Sequence, residues 1–349
     1  MKTKYYDFQE IIDEVQLDEI IKAYKDGEVI AFPTETVYGL GANIYNDQAI
    51  KKIYRAKNRP ADNPLIAHIG NMEQLYKLVE EIPEKAQILI DTFWPGPLTI
   101  IFKKNKEISE VATAGLETLG VRMPDHLVIE TILVKGDLIL VAPSANISGS
   151  PSPTTMKHVA DDLDGLVYGI IDGGNCDEGI ESTIVDMTGD NPVILRPGTI
   201  TREDLEEEIG KVEIDESLLG ASTKIARAPG MKYKHYAPNA KVHILKNRGD
   251  LDLILKKIKS LDVDLNKCAL INFDENIEHY RKLEIPNKII LGSIVDLRVG
   301  IRNLFRILRD CDILGIEHIF IEDYKEEGLG FSYMNRLKKA ANHNYLKES

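Results

Sequence analysis

The run VIAFPTETVYGLGANIYNDQAIKKIYRAKNRPADNPLIAHI, from Val29 to Ile69, decides the fold class. It begins and ends in short apolar segments of strand character, Val29–Phe32 and Leu65–Ile69. Between them, Asp47 to Lys57 places Ala49, Ile50, Ile53 and Tyr54 at helical spacing, with Asp47 as the expected N-cap. Strand, helix and strand in close succession mark an α/β chain. The same run holds Thr34, Thr36, Lys57, Arg59, Asn63 and His68 beside its apolar segments. Two cations one residue apart, with hydroxyls and amides at strand ends, suit a small anionic ligand.

Working outward, a helix is expected from Leu17 to Asp26, stopped by Gly27 as a left-handed cap. Strand-like segments recur at Leu98–Phe102, Gly120–Met123, Leu138–Ala142, Leu166–Ile171, Thr183–Asp186 and Val193–Leu195. Helical segments at Met72–Glu80, Glu84–Phe93 and His126–Leu133 interleave with them. Residues 1–210 therefore read as an α/β domain with a twisted mixed sheet of about seven strands. The pattern breaks over 211–240, which carries APGMKYKHYAP from Ala228 to Pro238. A segment this long, with aromatic rings and prolines, is expected to be an active-site lid rather than a plain spacer. Residues 241–349 read as a smaller Rossmann-like α/β domain. Its expected strands are Val242–Leu245, Cys268–Asn272, Ile289–Leu291 and His318–Ile321.

Composition narrows the class. The formal net charge of −13 is uneven: residues 241–349 sum to +2 and residues 1–240 to −15. An acidic body gives no long-range attraction for nucleic acid, so strong direct tRNA binding is not expected. Lys57, Arg59, Arg122 and Arg196 are better read as local site residues. The apolar runs are too short to span a bilayer. Cys176, Cys268 and Cys311 form no CxxC pair, which fits a reducing cytoplasm and offers no metal site among the sulfurs.

Standard nucleotide motifs are missing. Gly210-Lys211 is followed by Val212, so it is no phosphate-binding P-loop, and Gly39-Leu40-Gly41 lacks the third glycine of a dinucleotide fingerprint. There is no HExxH and no GxSxG. Lys57-Asn58-Arg59 closes a helix, where cations also serve the helix dipole. Ser144-Ala145-Asn146 follows a buried strand, where ligands of α/β sheets bind. The segments around Ser182 and Arg196 repeat that theme of hydroxyl and cation at strand boundaries.

Taken in order, AFPTETVYGLGA, KNRPADNPL, WPGPLT, VRMP, APSANISGSPSPT, GIESTI, LRPG and APGMKYKHYAP resemble one family. It is that of the YrdC-like L-threonylcarbamoyl-AMP synthases, in the long form with a C-terminal domain. The resemblance implies synthesis of threonylcarbamoyl-AMP from L-threonine, bicarbonate or CO2, and ATP, with pyrophosphate released. The product would feed a tRNA threonylcarbamoyl transferase. Residues carried over as ATP or adenylate contacts are Lys57, Arg59, Asn63, Thr118, Ser144, Asn146, Ser152, Arg196 and Tyr236. Lys57 and Arg59 would also stabilise developing charge. Thr36, His68, Arg122, Ser182 and the Ala142 backbone are carried over as threonine contacts, with Arg122 or His68 facing the carboxylate. Mg2+ would arrive with the ATP, so no protein metal site is expected. Two competing readings are an RNA-binding module, disfavoured by the −15 charge, and carbamoyl transfer in hydrogenase maturation, whose proteins carry the CxxC pairs absent here.

Overall fold

The computed structural model describes residues 2–219, 226–231, 235–246 and 249–346. The described residues fall into two bodies, one built from 1–148 with 152–233 and the other from 149–151 with 234–349.

The first body is organised by a sheet of β1 (Lys4–Asp7), β2 (Ile30–Phe32), β3 (Gly39–Asn43), β4 (Ile66–His68), β5 (Leu98–Lys103), β6 (Thr118–Arg122), β7 (Leu140–Ala142), β8 (Gly169–Asp172), β9 (Thr183–Asp186), β10 (Val193–Arg196) and β11 (Glu213–Ile214). Their spatial order is β1-β8-β2-β3-β7-β4-β6-β5-β9-β10-β11, with parallel and antiparallel neighbours mixed. The sheet thus has eleven strands where about seven were expected. The additions are the segments with the weakest local signal. β1 is a polar edge and β11 has two residues. β3 is glycine-rich and reads as a turn, yet its glycines are what let it lie on Phe32: a Cβ at Gly39 or Gly41 would come within 2.8 Å of that ring.

Helices α1 (Glu14–Lys25), α2 (Asp47–Lys57), α3 (Met72–Leu78), α4 (Glu84–Phe93), α5 (Glu110–Thr113), α6 (Leu127–Gly136), α7 (Met156–Leu163) and α8 (Arg202–Ile209) divide between the two sheet faces. Ala67, Ile100, Val121, Val141 and Val185 face the main core, shared with α2, α3, α4, α5, α7 and α8. Side chains alternate along a strand, so Ile66, Ile101 and Ile184 emerge on the opposite face. Near β2, β7 and β8 that second face is covered by α1 and α6. Beyond them, Ala228 and Met231 of the segment expected as a lid pack against Ile66, Ile101, Ile184 and Leu195. Arg227 ties that segment down through Asp186 at 2.9 Å and through Asp215. The lid's stretches 220–225 and 232–234 lie outside the described residues.

The second body has four parallel strands, β12 (Lys241–Leu245), β13 (Cys268–Asn272), β14 (Asn287–Ile290) and β15 (His318–Glu322), in the order β12-β15-β13-β14. Helix α9 (Leu251–Ser260) packs on them through Leu245, Leu270 and Phe320. Helices α10 (Leu297–Ile313) and α11 (Leu329–Ala340) bury Leu304, Phe305, Tyr333 and Leu337. None of the described helices is long and apolar enough to cross a membrane.

One cap differs from expectation. Asn46, not Asp47, caps α2: its side chain accepts from the Ala49 N–H, and Asp47 becomes the first helical residue. The helix ends at Asn58 in the left-handed conformation, which turns Arg59 away from the helix axis. Because α2 carries Lys57 at its last turn, its start matters to the site. Asn46→Ala should lower unfolding stability by about 1 kcal/mol, as loss of an N-cap does elsewhere. Urea denaturation of both proteins checks this; an unchanged midpoint would show that the cap carries no stability here.

Candidate active site

Strand register brings several polar residues to the sheet face opposite the main core. On β6, Thr118, Gly120 and Arg122 share a face; on β4, Ile66 and His68 share it. The two strands run parallel, with His68 beside Arg122 and Ile66 beside Gly120. Ala142 at the end of β7 pairs with Ile66. The candidate site is therefore spread over a face rather than confined to the strand exits the sequence suggested. The reason is the two-residue period, which lines up every second side chain of neighbouring strands.

At one end of β4 stands Arg122. Its guanidinium is buried between two chain segments. Nε donates to the Gly96 carbonyl at 3.2 Å, Nη1 donates to Thr36 Oγ1 at 2.7 Å, and Nη2 lies 2.6 Å from Glu35 Oε2. Thr34 Oγ1 must donate to the Val37 carbonyl at 2.6 Å, so in its 2.9 Å contact with Thr36 it is the acceptor. Thr36 thus donates to Thr34 and accepts from Arg122, which makes it an orienting group for the guanidinium. The Glu35–Arg122 contact is close in distance but wrong in angle. Neither carboxylate oxygen of Glu35 nor Arg122 Nη2 makes a hydrogen bond.

His68 is buried beside Arg122. Burial first, and the Arg122 charge second, push it down to about 3, partly offset by the Ile66 carbonyl. The ring is neutral at ordinary pH. Nδ1 lies 3.1 Å from that carbonyl and must donate to it, leaving Nε2 as an acceptor. The sequence left the carboxylate partner open between Arg122 and His68. A neutral ring with an acceptor Nε2 repels a carboxylate, whereas the Arg122 guanidinium attracts one. Ser182, just before β9, has its hydroxyl 2.8 Å from Thr99 and accepts from Arg196 Nη2 at 3.0 Å, while Arg196 Nε donates to the Ser182 carbonyl. Gly198 is needed for this crossing: a Cβ there would lie 2.3 Å from the Thr183 nitrogen.

Towards the other end of β4 stand Lys57, Arg59, Asn63 and Thr118. The Lys57 ammonium is buried and donates to the carbonyls of Ser144 at 2.6 Å and of Asn146, binding α2 to that turn. Ser144 Oγ donates to Asn146 Oδ1 at 2.6 Å, and the Ser148 N–H donates to the Lys57 carbonyl at 2.9 Å. Arg59 Nη2 donates to the Pro64 carbonyl at 3.0 Å. Asn63 is buried with Oδ1 making no hydrogen bond. Thr118 lines a small cleft with Ile66, Gly120, Arg227, Ala228 and Pro229. Ser152 donates to Glu181. Tyr236 belongs to the second body, where its ring packs on Phe305 at 5.1 Å and beneath the Arg336 guanidinium at 5.5 Å. Among the described residues no cluster of three His, Cys, Asp or Glu side chains could hold a metal ion.

Glu35, Thr99, Gly120 and Glu181 escaped the sequence reading. Glu35 had a usable signal, an acid inside the apolar context FPTETVY. Thr99 and Gly120 have none without register, since both look like ordinary strand positions.

A mixed α/β sheet with buried cations, hydroxyls and a neutral histidine on one face defines a small-molecule-binding enzyme domain joined to a smaller α/β domain. A family model described as "Telomere recombination" matches residues 22–198, and one described as "Threonylcarbamoyl-AMP synthase, C-terminal domain" matches residues 200–342. The chain is 42% identical to the threonylcarbamoyl-AMP synthase of Pyrococcus abyssi, covering 97% of this chain and 98% of that one. It is also 42% identical to that of Bacillus subtilis, covering 98% of each. The crystal structure of P. abyssi Sua5 complexed with L-threonine superposes with a TM-score of 0.90 at 42% identity, over 99% of this chain and all of that one. The chain belongs to the threonylcarbamoyl-AMP synthase family, in its long form with a C-terminal domain.

The state of His68 has a measurable consequence. Its folded value lies below the unfolded value near 6.5, so the unfolded chain binds the extra proton first. The stability from keeping this ring neutral is complete above pH 6.5 and drains away as pH falls toward 3, by about 1.4 kcal/mol per unit at the steepest. Nitrogen NMR should show a neutral, Nδ1-protonated His68 down to pH 5. A ring that titrates between pH 6 and 7 in the folded protein would contradict the geometry.

Proposed function

We propose that the chain joins L-threonine, bicarbonate or CO2, and MgATP into L-threonylcarbamoyl-AMP and pyrophosphate, supplying threonylcarbamoyladenosine formation on tRNA. The observation that carries this reading is the buried Arg122, with donors unspent, beside a neutral His68 that can only accept. An amino acid with a hydroxyl side chain offers a carboxylate to the first and an O–H or N–H to the second. Thr36 aims Arg122, and Ser182 with the Ala142 backbone completes this pocket. The Lys57, Arg59, Asn63, Thr118, Ser144, Asn146, Ser152, Arg196 and Tyr236 set takes the nucleotide. Ile66 and His68 are two strand positions apart, about 7 Å, a span that would let the two substrates meet over β4.

In this reaction the threonine ammonium gives up a proton, and the free amine forms an N–C bond with CO2 and releases a second proton to become a carbamate. A carbamate oxygen then bonds to the α-phosphorus as the bond to the β-phosphate oxygen breaks, and pyrophosphate leaves. Such a displacement needs alignment and neutralised charge rather than a protein nucleophile. Mg2+ would enter with the nucleotide and be held by its phosphates, since none of the residues in the nucleotide set is a carboxylate. Lys57 fixes the Ser144–Asn146 turn and adds positive charge beneath it; Arg59 presents a guanidinium where α2 ends. The segment around Ala228 closes part of the face and would shield a labile mixed anhydride from water.

The deciding experiment incubates the protein with ATP, Mg2+, threonine and bicarbonate and assays pyrophosphate and adenylate. Lys57→Ala and Arg59→Ala should each cut the rate roughly ten- to a hundredfold, as loss of a charge-assisted contact does, with circular dichroism unchanged. Rates near wild type in both would remove these residues from the site.

Substrate preference gives a second check. Serine lacks one methyl group and should compete only about ten- to a hundredfold less well. Threoninamide has no carboxylate for Arg122 and should be rejected more strongly. Equal use of threonine and threoninamide would refute the assignment of Arg122.

A further inference from the structure

We propose that Glu35 receives the α-ammonium group of the amino-acid substrate, so that Glu35 and Arg122 together form a receptor for a zwitterion. This rests on the reading of the pocket as a threonine site and assigns its missing pole.

Glu35 is 7% exposed, and both its carboxylate oxygens lack hydrogen bonds. Leaving such a group buried and unsatisfied is costly. A purely structural ion pair would relieve that cost by settling into aligned hydrogen bonds, which Glu35 and Arg122 do not form despite their 2.6 Å approach. Nor is Glu35 needed to aim Arg122, because Gly96 and Thr36 already fix two of its nitrogens. The Glu35 backbone is pinned separately, its carbonyl accepting from the Glu178 N–H at 2.8 Å. What remains is a negative group and a positive group side by side, each with open hydrogen-bonding capacity, in a buried wall. An α-amino acid carries the complementary pair at matching separation. Its carboxylate satisfies Arg122 Nη2, and its three N–H donors satisfy Glu35 and His68 Nε2. A hydroxy acid in the same place brings no cation and fewer N–H donors to the Glu35 oxygens, so the pair favours the ammonium form.

The test compares calorimetric binding of L-threonine with that of 3-hydroxybutyrate, which keeps the carboxylate, hydroxyl and methyl but lacks the amine. The wild-type chain should prefer threonine by roughly ten- to a hundredfold, the range of a hydrogen bond to a charged group. Glu35→Gln should weaken threonine by most of that factor and leave 3-hydroxybutyrate unchanged or tighter. Glu35→Asp, with its charge kept but withdrawn by one methylene, should lie between. Circular dichroism checks folding, and if Glu35→Gln does not fold, Glu35→Asp decides. Equal wild-type affinities for the two ligands would overturn the proposal. So would a parallel loss of both ligands in the folded variant, which marks Glu35 as only a structural support. A wild-type chain that binds neither ligand would instead overturn the threonine reading itself.

Discussion

The buried guanidinium of Arg122 is the constraint on which the rest of this site depends. A permanent charge placed in a sheet face must be surrounded by oxygen, and the oxygens come from two separate segments: Gly96 before β5, and Glu35 and Thr36 after β2. Holding them together fixes the loop between β2 and β3, the turn before β5 and the end of β6 in one arrangement. That loop in turn is ordered by the Thr34 hydroxyl, which donates to the Val37 carbonyl and receives the Thr36 and Val37 N–H groups at 3.2 Å. The charge also sets the chemistry of its neighbour, since it helps to keep His68 neutral.

Lys57 plays a corresponding part at the other end of β4, by a different device. A sequence reader sees Lys57 and Arg59 as twin phosphate ligands. The structure separates them. Lys57 is buried and fastens two backbone carbonyls of the Ser144–Asn146 turn, while Arg59, beyond the left-handed Asn58, reaches the Pro64 carbonyl. An arginine suits bidentate contact with phosphate, and a lysine suits a compact point charge under a loop. The one-residue spacing is what a helix end followed by a reversal requires.

Much of the fold was legible in the sequence because the strands with apolar runs, such as Leu98–Phe102 and Thr183–Asp186, lie inside the sheet with a strand on either side. The unread strands are those that depend on partners. Gly39–Asn43 is a strand only because Phe32 lies under its glycines, and Glu213–Ile214 only because β10 offers an edge. The site shows the same division. Lys57, Arg59, His68 and Arg122 stand out as polar residues in apolar surroundings. Gly120 does not, although its missing side chain leaves room for Thr99 and Ile66, which lie 3.2 and 3.7 Å from where a Cβ would stand. Its importance follows from register, which no single strand reveals.

The charge balance of the first 240 residues, −15, would oppose an approaching nucleotide if the cations were dispersed among the acids. They are not. Lys57, Arg122 and Arg196 are buried on or beside the working face, whereas most acidic residues lie on exposed surfaces, where water and salt screen them. In a site of low effective dielectric a cation a few ångströms from a ligand outweighs many screened surface charges. Net charge alone therefore does not set the field at these cations, where the acids that count are the buried ones, Glu35, Glu181 and Asp186.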